Sequence, residues 1–187
     1  MLTSDTPHTY LVTGGAGFIG SNFVRYMLGR HSDISITVFD ALTYAGHPEN
    51  LEDVKDDPRF AFVKGDIRSA DDVDEPVREA DVVINFAAES HVDRSIHDAE
   101  NTITTNVLGV FVLCEAAKKH GVDKFIQIST DEVYGDVETG FSEETDVLSP
   151  NSPYSAGKAG GELLARSYWR TYGVPVMVTR GSNTYGP

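Results

Sequence analysis

Tyr10-Leu11-Val12-Thr13-Gly14-Gly15-Ala16-Gly17-Phe18-Ile19-Gly20 is the stretch whose reading decides the fold. A short apolar run predicts a strand, a glycine-rich turn follows, and Phe18 to Leu28 has the spacing of a helix. Gly14, Gly17 and Gly20 repeat at three-residue intervals. Such glycines permit a tight turn, close approach of backbone to a pyrophosphate and close helix–strand packing. The helix N-terminus then offers free amides and a positive dipole end to an anion. Asp40 lies 20 residues past Gly20, at the end of the next apolar run. A carboxylate there can accept ribose hydroxyls and repels a 2′-phosphate, and Ala41 brings no compensating cation, so the expected cofactor is NAD rather than NADP.

Outward from this unit, short apolar runs alternate with amphipathic stretches. The pattern predicts strands at Tyr10–Val12, Ile34–Phe39, Phe60–Val63, Val82–Phe86, Phe125–Ile128 and Val174–Thr179. Helices are predicted at Phe18–Leu28, Asp71–Glu79, Glu100–Lys119 and Tyr154–Tyr172, the second doubtful because Pro76 lacks an amide donor. Near-continuous Val/Ile/Phe runs imply strands buried on both faces. The expected fold is α/β, a Rossmann-like doubly wound parallel sheet. Leu42–Asn50 and Gly135–Ser152 read as loops.

The chain has 187 residues, 40% of them hydrophobic, enough for one domain with a core. Its formal charge of −14 disfavours nucleic acid and anionic lipid as partners. Acidic runs such as Asp71-Asp72 with Asp74-Glu75 read as solvated faces. The single cysteine, Cys114, excludes an intrachain disulfide and reads as a small buried hydrophobe. Met1 to His8 has no signal-peptide pattern, and no apolar run approaches the roughly 20 residues of a membrane span. A cytoplasmic setting is expected.

Two motifs carry chemistry. Tyr154 and Lys158 are four apart on a predicted helix and share a face. A lysine cation there is expected to lower the tyrosine pKa and prepare a base for a hydroxyl proton. Alone the spacing would describe two unrelated surface residues; downstream of a dinucleotide fold it reads as a redox site. Ser129-Thr130-Asp131-Glu132-Val133-Tyr134-Gly135 places a hydroxyl and adjacent carboxylates at a strand end. Both acids can face a substrate only if a turn begins there. Like charges disfavour joint ionisation, so the pair can supply one acid and one base. The plain alternative is a solvated loop pair. Asp66-Ile67 and Ala87-Ala88 fall at other strand ends, where such sheets bind ligands. Asp66 reads either as an acceptor for the adenine amine or as a helix N-cap.

TGGAGFIG, LTYAG at Leu42–Gly46, GDIR at Gly65–Arg68, FAAESHVDRSI at Phe86–Ile96, TNVLG at Thr105–Gly109, STDEVYG, SPYSAGKA and SNTYGP at Ser182–Pro187 together resemble an extended short-chain dehydrogenase/reductase, and within that family the dTDP-glucose 4,6-dehydratases. The resemblance implies dehydration of a nucleotide-activated glucose to a 4-keto-6-deoxy sugar, with NAD as cofactor and no metal. Tyr154 would be the base at the sugar 4-hydroxyl, tuned by Lys158, with Thr130 hydrogen-bonding that hydroxyl. Glu132 would take the C5 proton and Asp131 would protonate the departing 6-hydroxyl.

Gly14, Gly17, Phe18, Ile19, Gly20, Asp40, Thr43, Gly46, Asp66, Ile67, Ala87, Ala88, Glu89 and Thr105 would line the cofactor, with Tyr154 and Lys158. Ser90, Thr130, Asp131, Glu132 and Asn183 would contact the nucleotide-sugar, with Asp93-Arg94-Ser95 near its entrance. The family runs to well over 300 residues, so residues 1–187 would be its dinucleotide-binding domain without the C-terminal substrate lobe. A homodimer through the two long helices is also implied, with Phe111 and Trp169 as outward apolar residues; ordinary core packing is the alternative for both. A 4-epimerase or decarboxylase, or a non-catalytic NAD-binding module, remain competing functions.

Overall fold

The structure is a computed structural model that describes residues 8–137 and 139–186. The signal-peptide reading of residues 1–7 and the final proline of SNTYGP lie outside the described residues.

Six strands form one parallel sheet: β1 (His8–Thr13), β2 (Ile34–Asp40), β3 (Phe60–Lys64), β4 (Val82–Asn85), β5 (Lys124–Thr130) and β6 (Val176–Gly181), in the order β3-β2-β1-β4-β5-β6. The order reverses between β1 and β4, and that switch point opens a crevice beyond the strands' carboxyl ends. This is the expected doubly wound fold.

The period-two alternation of strands builds two cores. Leu11, Phe39, Val83 and Phe125 face α2 (Ala70–Arg78), α5 (Val110–His120) and α6 (Pro153–Tyr172). Val12, Ile36 and Val38 face Val24 and Leu28 of α1 (Phe18–Arg30). Cys114 is fully buried in the first core, as expected of a small hydrophobe.

Burial on both faces fails at the two edges. Phe62 and Val63 of β3 and Met177 of β6 are exposed. An edge strand has one neighbour, and α1 packs chiefly over β1 and β2 rather than over β3.

Helix α2 forms despite Pro76, because Val73 and Val77 bury one apolar side against α5 and Ser69 caps the first turn by accepting from the Asp72 amide. The single helix expected at Glu100–Lys119 is three pieces: α4 (Ala99–Ile103), a π-helical turn at Thr104–Gly109, and α5. Helix α3 (Val92–His97) and the 3-10 turn at Pro48–Leu51 are not predicted from the sequence, whereas the 3-10 turn Asp131–Tyr134 is the turn required at the acid pair. Strand β6 begins two residues later than predicted. Helix α6 starts at a capping box between Ser152 and Ser155 with Pro153 in its first turn, and stops at Gly173 in the left-handed region, φ 75°. No helix among the described residues is long and apolar enough to cross a membrane.

Candidate active site

The glycine turn works by close approach. Gly14 has φ 68°, and a Cβ there would lie 2.5 Å from the Ala87 nitrogen; one on Gly20 would lie 2.4 Å from the Gly14 carbonyl oxygen. Bare glycines thus let the β1–α1 turn lie against the end of β4. A cleft of about 440 Å³ opens above this contact. It is lined by Gly14, Gly17, Phe18, Ile19, Gly20, Asp40, Thr43, Gly46, Asp66, Ile67, Ala87, Ala88, Glu89, Ser90, Thr105, Tyr154 and Lys158, every residue expected to line a cofactor, and Ser90 with them. The residues present fit a dinucleotide: a glycine turn at a helix N-terminus, a carboxylate at the end of β2, and a tyrosine–lysine pair on the same cleft.

Asp40 is 8% exposed; its two carboxylate oxygens accept from the Ala16 and Leu42 amides, at 3.0 and 2.8 Å. A carboxylate has about four lone-pair sites, so both oxygens keep capacity for ribose hydroxyls. Asp66 is not a helix N-cap, since Ser69 holds that position. Instead it pairs with Arg68, whose guanidinium holds its carboxyl below the usual range, and Arg68 reaches Asn101 at 2.8 Å.

Tyr154 and Lys158 share a face of α6, but the expected tuning is absent. The Tyr154 pKa is raised, first by burial and then by Glu132, with Thr130's hydroxyl opposing. Burial also pushes the Lys158 ammonium down to about 8, and its Nζ donates to the Ile128 carbonyl at 2.6 Å. Proximity along a helix does not bring opposite effects together when desolvation dominates both groups.

With a folded pKa near 8 against 10.5 for free lysine, the folded protein binds fewer protons than the unfolded chain between those values, so Lys158's contribution to stability rises with pH there. Lys158→Met should flatten the rise of the melting temperature between pH 8 and 10.5. The Tyr154 proton, common to both proteins, cancels in the comparison. An identical pH dependence in the two proteins would refute the burial argument.

The turn required at the acid pair exists. Thr130 ends β5 and caps the 3-10 turn Asp131–Tyr134, its Oγ1 accepting from the Glu132 amide at 3.3 Å. The turn frees Asp131 and Glu132 from strand alternation, and both line a second, polar cavity of about 750 Å³ together with Tyr134, Arg180 and Asn183. Burial, then Asp131, raises the Glu132 pKa. Tyr154 lines the first cleft, and both acids of the second are near enough to raise its pKa.

Several residues of the quoted motifs act as supports, a role the sequence reading does not assign them. Ser95, buried in α3, accepts from the Tyr154 amide at 3.1 Å and so sets the start of α6. Asn106 in the π-helical turn pairs with the Glu89 backbone through both its amide atoms. Tyr44, within the LTYAG motif but given no role, reaches Ser90 at 3.2 Å and stacks under Arg94, 3.9 Å from its ring centre. Phe111 and Trp169 are exposed, at 42% and 49%, so the core-packing alternative does not describe them.

A family model described as GDP-mannose 4,6 dehydratase matches residues 11–187. The chain is 56% identical to low-salt glycan biosynthesis protein Agl12 of Haloferax volcanii, over 95% of this chain and 57% of that protein. It is 55% identical to a dTDP-glucose 4,6-dehydratase of Streptomyces antibioticus, over 95% of this chain and 53% of that protein. The crystal structure of the dTDP-glucose 4,6-dehydratase DesIV of Streptomyces venezuelae, with NAD bound, superposes with a TM-score of 0.93 at 50% identity, covering 96% of this chain and 57% of that one. The chain thus spans about half the length of the relatives it matches. With the glycine turn, the Tyr154–Lys158 helix and the acid turn all inside the matched region, the chain belongs to the GDP-mannose 4,6 dehydratase family.

Proposed function

We propose that this chain carries the redox and acid–base half of an NAD-dependent nucleotide-sugar 4,6-dehydratase, acting on dTDP-glucose. The observation that carries the reading is that Tyr154 lines one cleft with the glycine turn, Asp40 and Lys158, and lies near enough to Glu132 and Asp131, which line the second cavity, for both carboxylates to raise its pKa. The relatives named dTDP-glucose 4,6-dehydratase support the sugar and nucleotide, and the neighbour solved with NAD supports the cofactor. Asp40, with uncharged Ala41 beside it, favours NAD over its 2′-phosphate form.

In this reading Gly14, Gly17 and Gly20 seat the pyrophosphate, with Phe18 and Ile19 at the helix start. Asp40, Thr43 and Gly46 hold the adenosine ribose, Asp66 and Ile67 the adenine, and Ala87, Ala88, Glu89 and Thr105 the rest of the dinucleotide. Tyr154 takes the proton of the sugar 4-hydroxyl, with Thr130 bonded to that hydroxyl and Lys158 holding the cofactor-side geometry. Glu132 removes the C5 proton, and its raised pKa makes it a stronger base than an ordinary carboxylate. Asp131 protonates the departing 6-hydroxyl. When bound, NAD would supply the hydride exchange, from C4 and back to C6, and Glu132 would return the proton to C5 as C6 is reduced. Ser90 and Asn183 contact the nucleotide-sugar.

The chain is read as one dinucleotide-binding domain, and a cytoplasmic setting suits this chemistry. The exposed Phe111, Leu163 and Trp169 support a homodimer through α5 and α6, which light scattering tests. The function is tested by mass spectrometry of dTDP-glucose and UDP-glucose incubated with the chain and NAD. Loss of one water from dTDP-glucose is the expected result. A product of unchanged mass would instead mark a 4-epimerase, and NAD binding without sugar conversion a binding module.

A further inference from the structure

Ser129 is the exception in a neighbourhood of satisfied polar groups. Thr13, Asn85 and Gln127 form a buried ladder across β1, β4 and β5, with Thr13 donating to Asn85 at 2.6 Å and Asn85 to Gln127 at 2.9 Å. Ser129 is two residues beyond Gln127 on the same strand and so shares its face. It is 6% exposed and lines the first cleft beside Ile128, Tyr154 and Lys158. Its Oγ has no hydrogen-bond partner and is the one fully buried side-chain oxygen or nitrogen so placed among the described residues. Buried hydroxyls are normally paired, and an orphan in a native structure calls for a reason. Serine is not needed to fill the space, since alanine would do so without the desolvated hydroxyl.

The sheet order says which part of a ligand lies there. Asp40 ends β2 and Ser129 lies at the end of β5, three strand spacings apart across β1 and β4. At about 4.8 Å per spacing that is roughly 14 Å. A dinucleotide with its adenosine ribose at Asp40 lays its other half over Ser129, on the side where Tyr154 stands.

We propose that Ser129 is a ligand of the nicotinamide-ribose half of the dinucleotide, its hydroxyl left unpaired in the protein to be paired by the cofactor. The proposal rests on the dinucleotide reading above. It implies that the residue is set for binding at the expense of the free protein's stability.

The test is Ser129→Ala, with NAD and ADP titrated calorimetrically into both proteins and the melting of each followed without ligand. ADP carries the adenosine diphosphate half alone. The expected result is about a fivefold loss of NAD affinity, the worth of one hydrogen bond, with ADP affinity unchanged and the unliganded variant melting no lower than the parent. Unchanged NAD affinity, an equal loss for ADP, or a lower melting temperature without ligand would each overturn the proposal, the last by making the residue structural. If the parent protein binds neither NAD nor ADP, the dinucleotide reading fails first, and that outcome is distinct from the other three.

Discussion

Glu132→Gln is expected to slow water loss from the nucleotide-sugar by about 10²–10⁴-fold, the usual weight of a positioned general base, while NAD affinity stays within about twofold. The amide keeps the size of the side chain, and the turn survives because Thr130 caps it through the Glu132 backbone amide, not its carboxylate. What is lost is the proton acceptor. Burial and Asp131 place the Glu132 pKa above that of an ordinary carboxylate, so the acid limb of the parent's rate profile should sit at higher pH than a free glutamate would give. Single-turnover mass spectrometry across pH reads both quantities. A rate within threefold of the parent would remove Glu132 from the chemistry.

Arg180→Met should cost about 3–5 kcal/mol of stability, the range for stranding one partner of a buried ion pair. Glu162 on α6 is completely buried, and Arg180 on β6 donates to both its carboxylate oxygens. The same guanidinium reaches the Tyr134 hydroxyl and the Glu144 carbonyl, so one side chain ties helix, edge strand and acid turn together. Arg166 lies 3.8 Å from Glu162 but is half exposed and cannot replace the lost bonds. Adding Glu162→Met should recover most of the loss, because removing both charges also removes the desolvation cost of the survivor. Urea unfolding of the single and double variants measures this. A single variant within 1 kcal/mol of the parent would mean that water reaches Glu162 and the pair is not buried in solution.

Much of the architecture was legible because its causes are local. Apolar runs of strand length alternating with helical periodicity led to the parallel sheet, and the spacing of Gly14, Gly17 and Gly20 reports steric needs of the backbone that no other residue meets. The Asp131-Glu132 pair implied a turn from strand alternation alone, and the 3-10 turn is there. The edges were misread for an equally physical reason: Phe60–Val63 has the composition of a buried strand, but its exposure depends on which strand lies beside it, which composition does not encode. The π-helical turn at Thr104–Gly109 likewise follows from packing against α6, not from propensity.

The sequence by itself determined the sheet, the phosphate-seating turn and the residues that can exchange protons, since these depend on near neighbours and on side-chain type. The tertiary structure alone decided their electrostatic state. Lys158 meets the Ile128 carbonyl across 30 residues and Arg180 meets Tyr134 across 46. Burial, not the four-residue spacing, raises the Tyr154 pKa. Whether the Ser129 hydroxyl finds a partner depends on what packs over the end of β5. Desolvation and pairing are properties of the space around a group, and that space is made by chain segments far away in sequence.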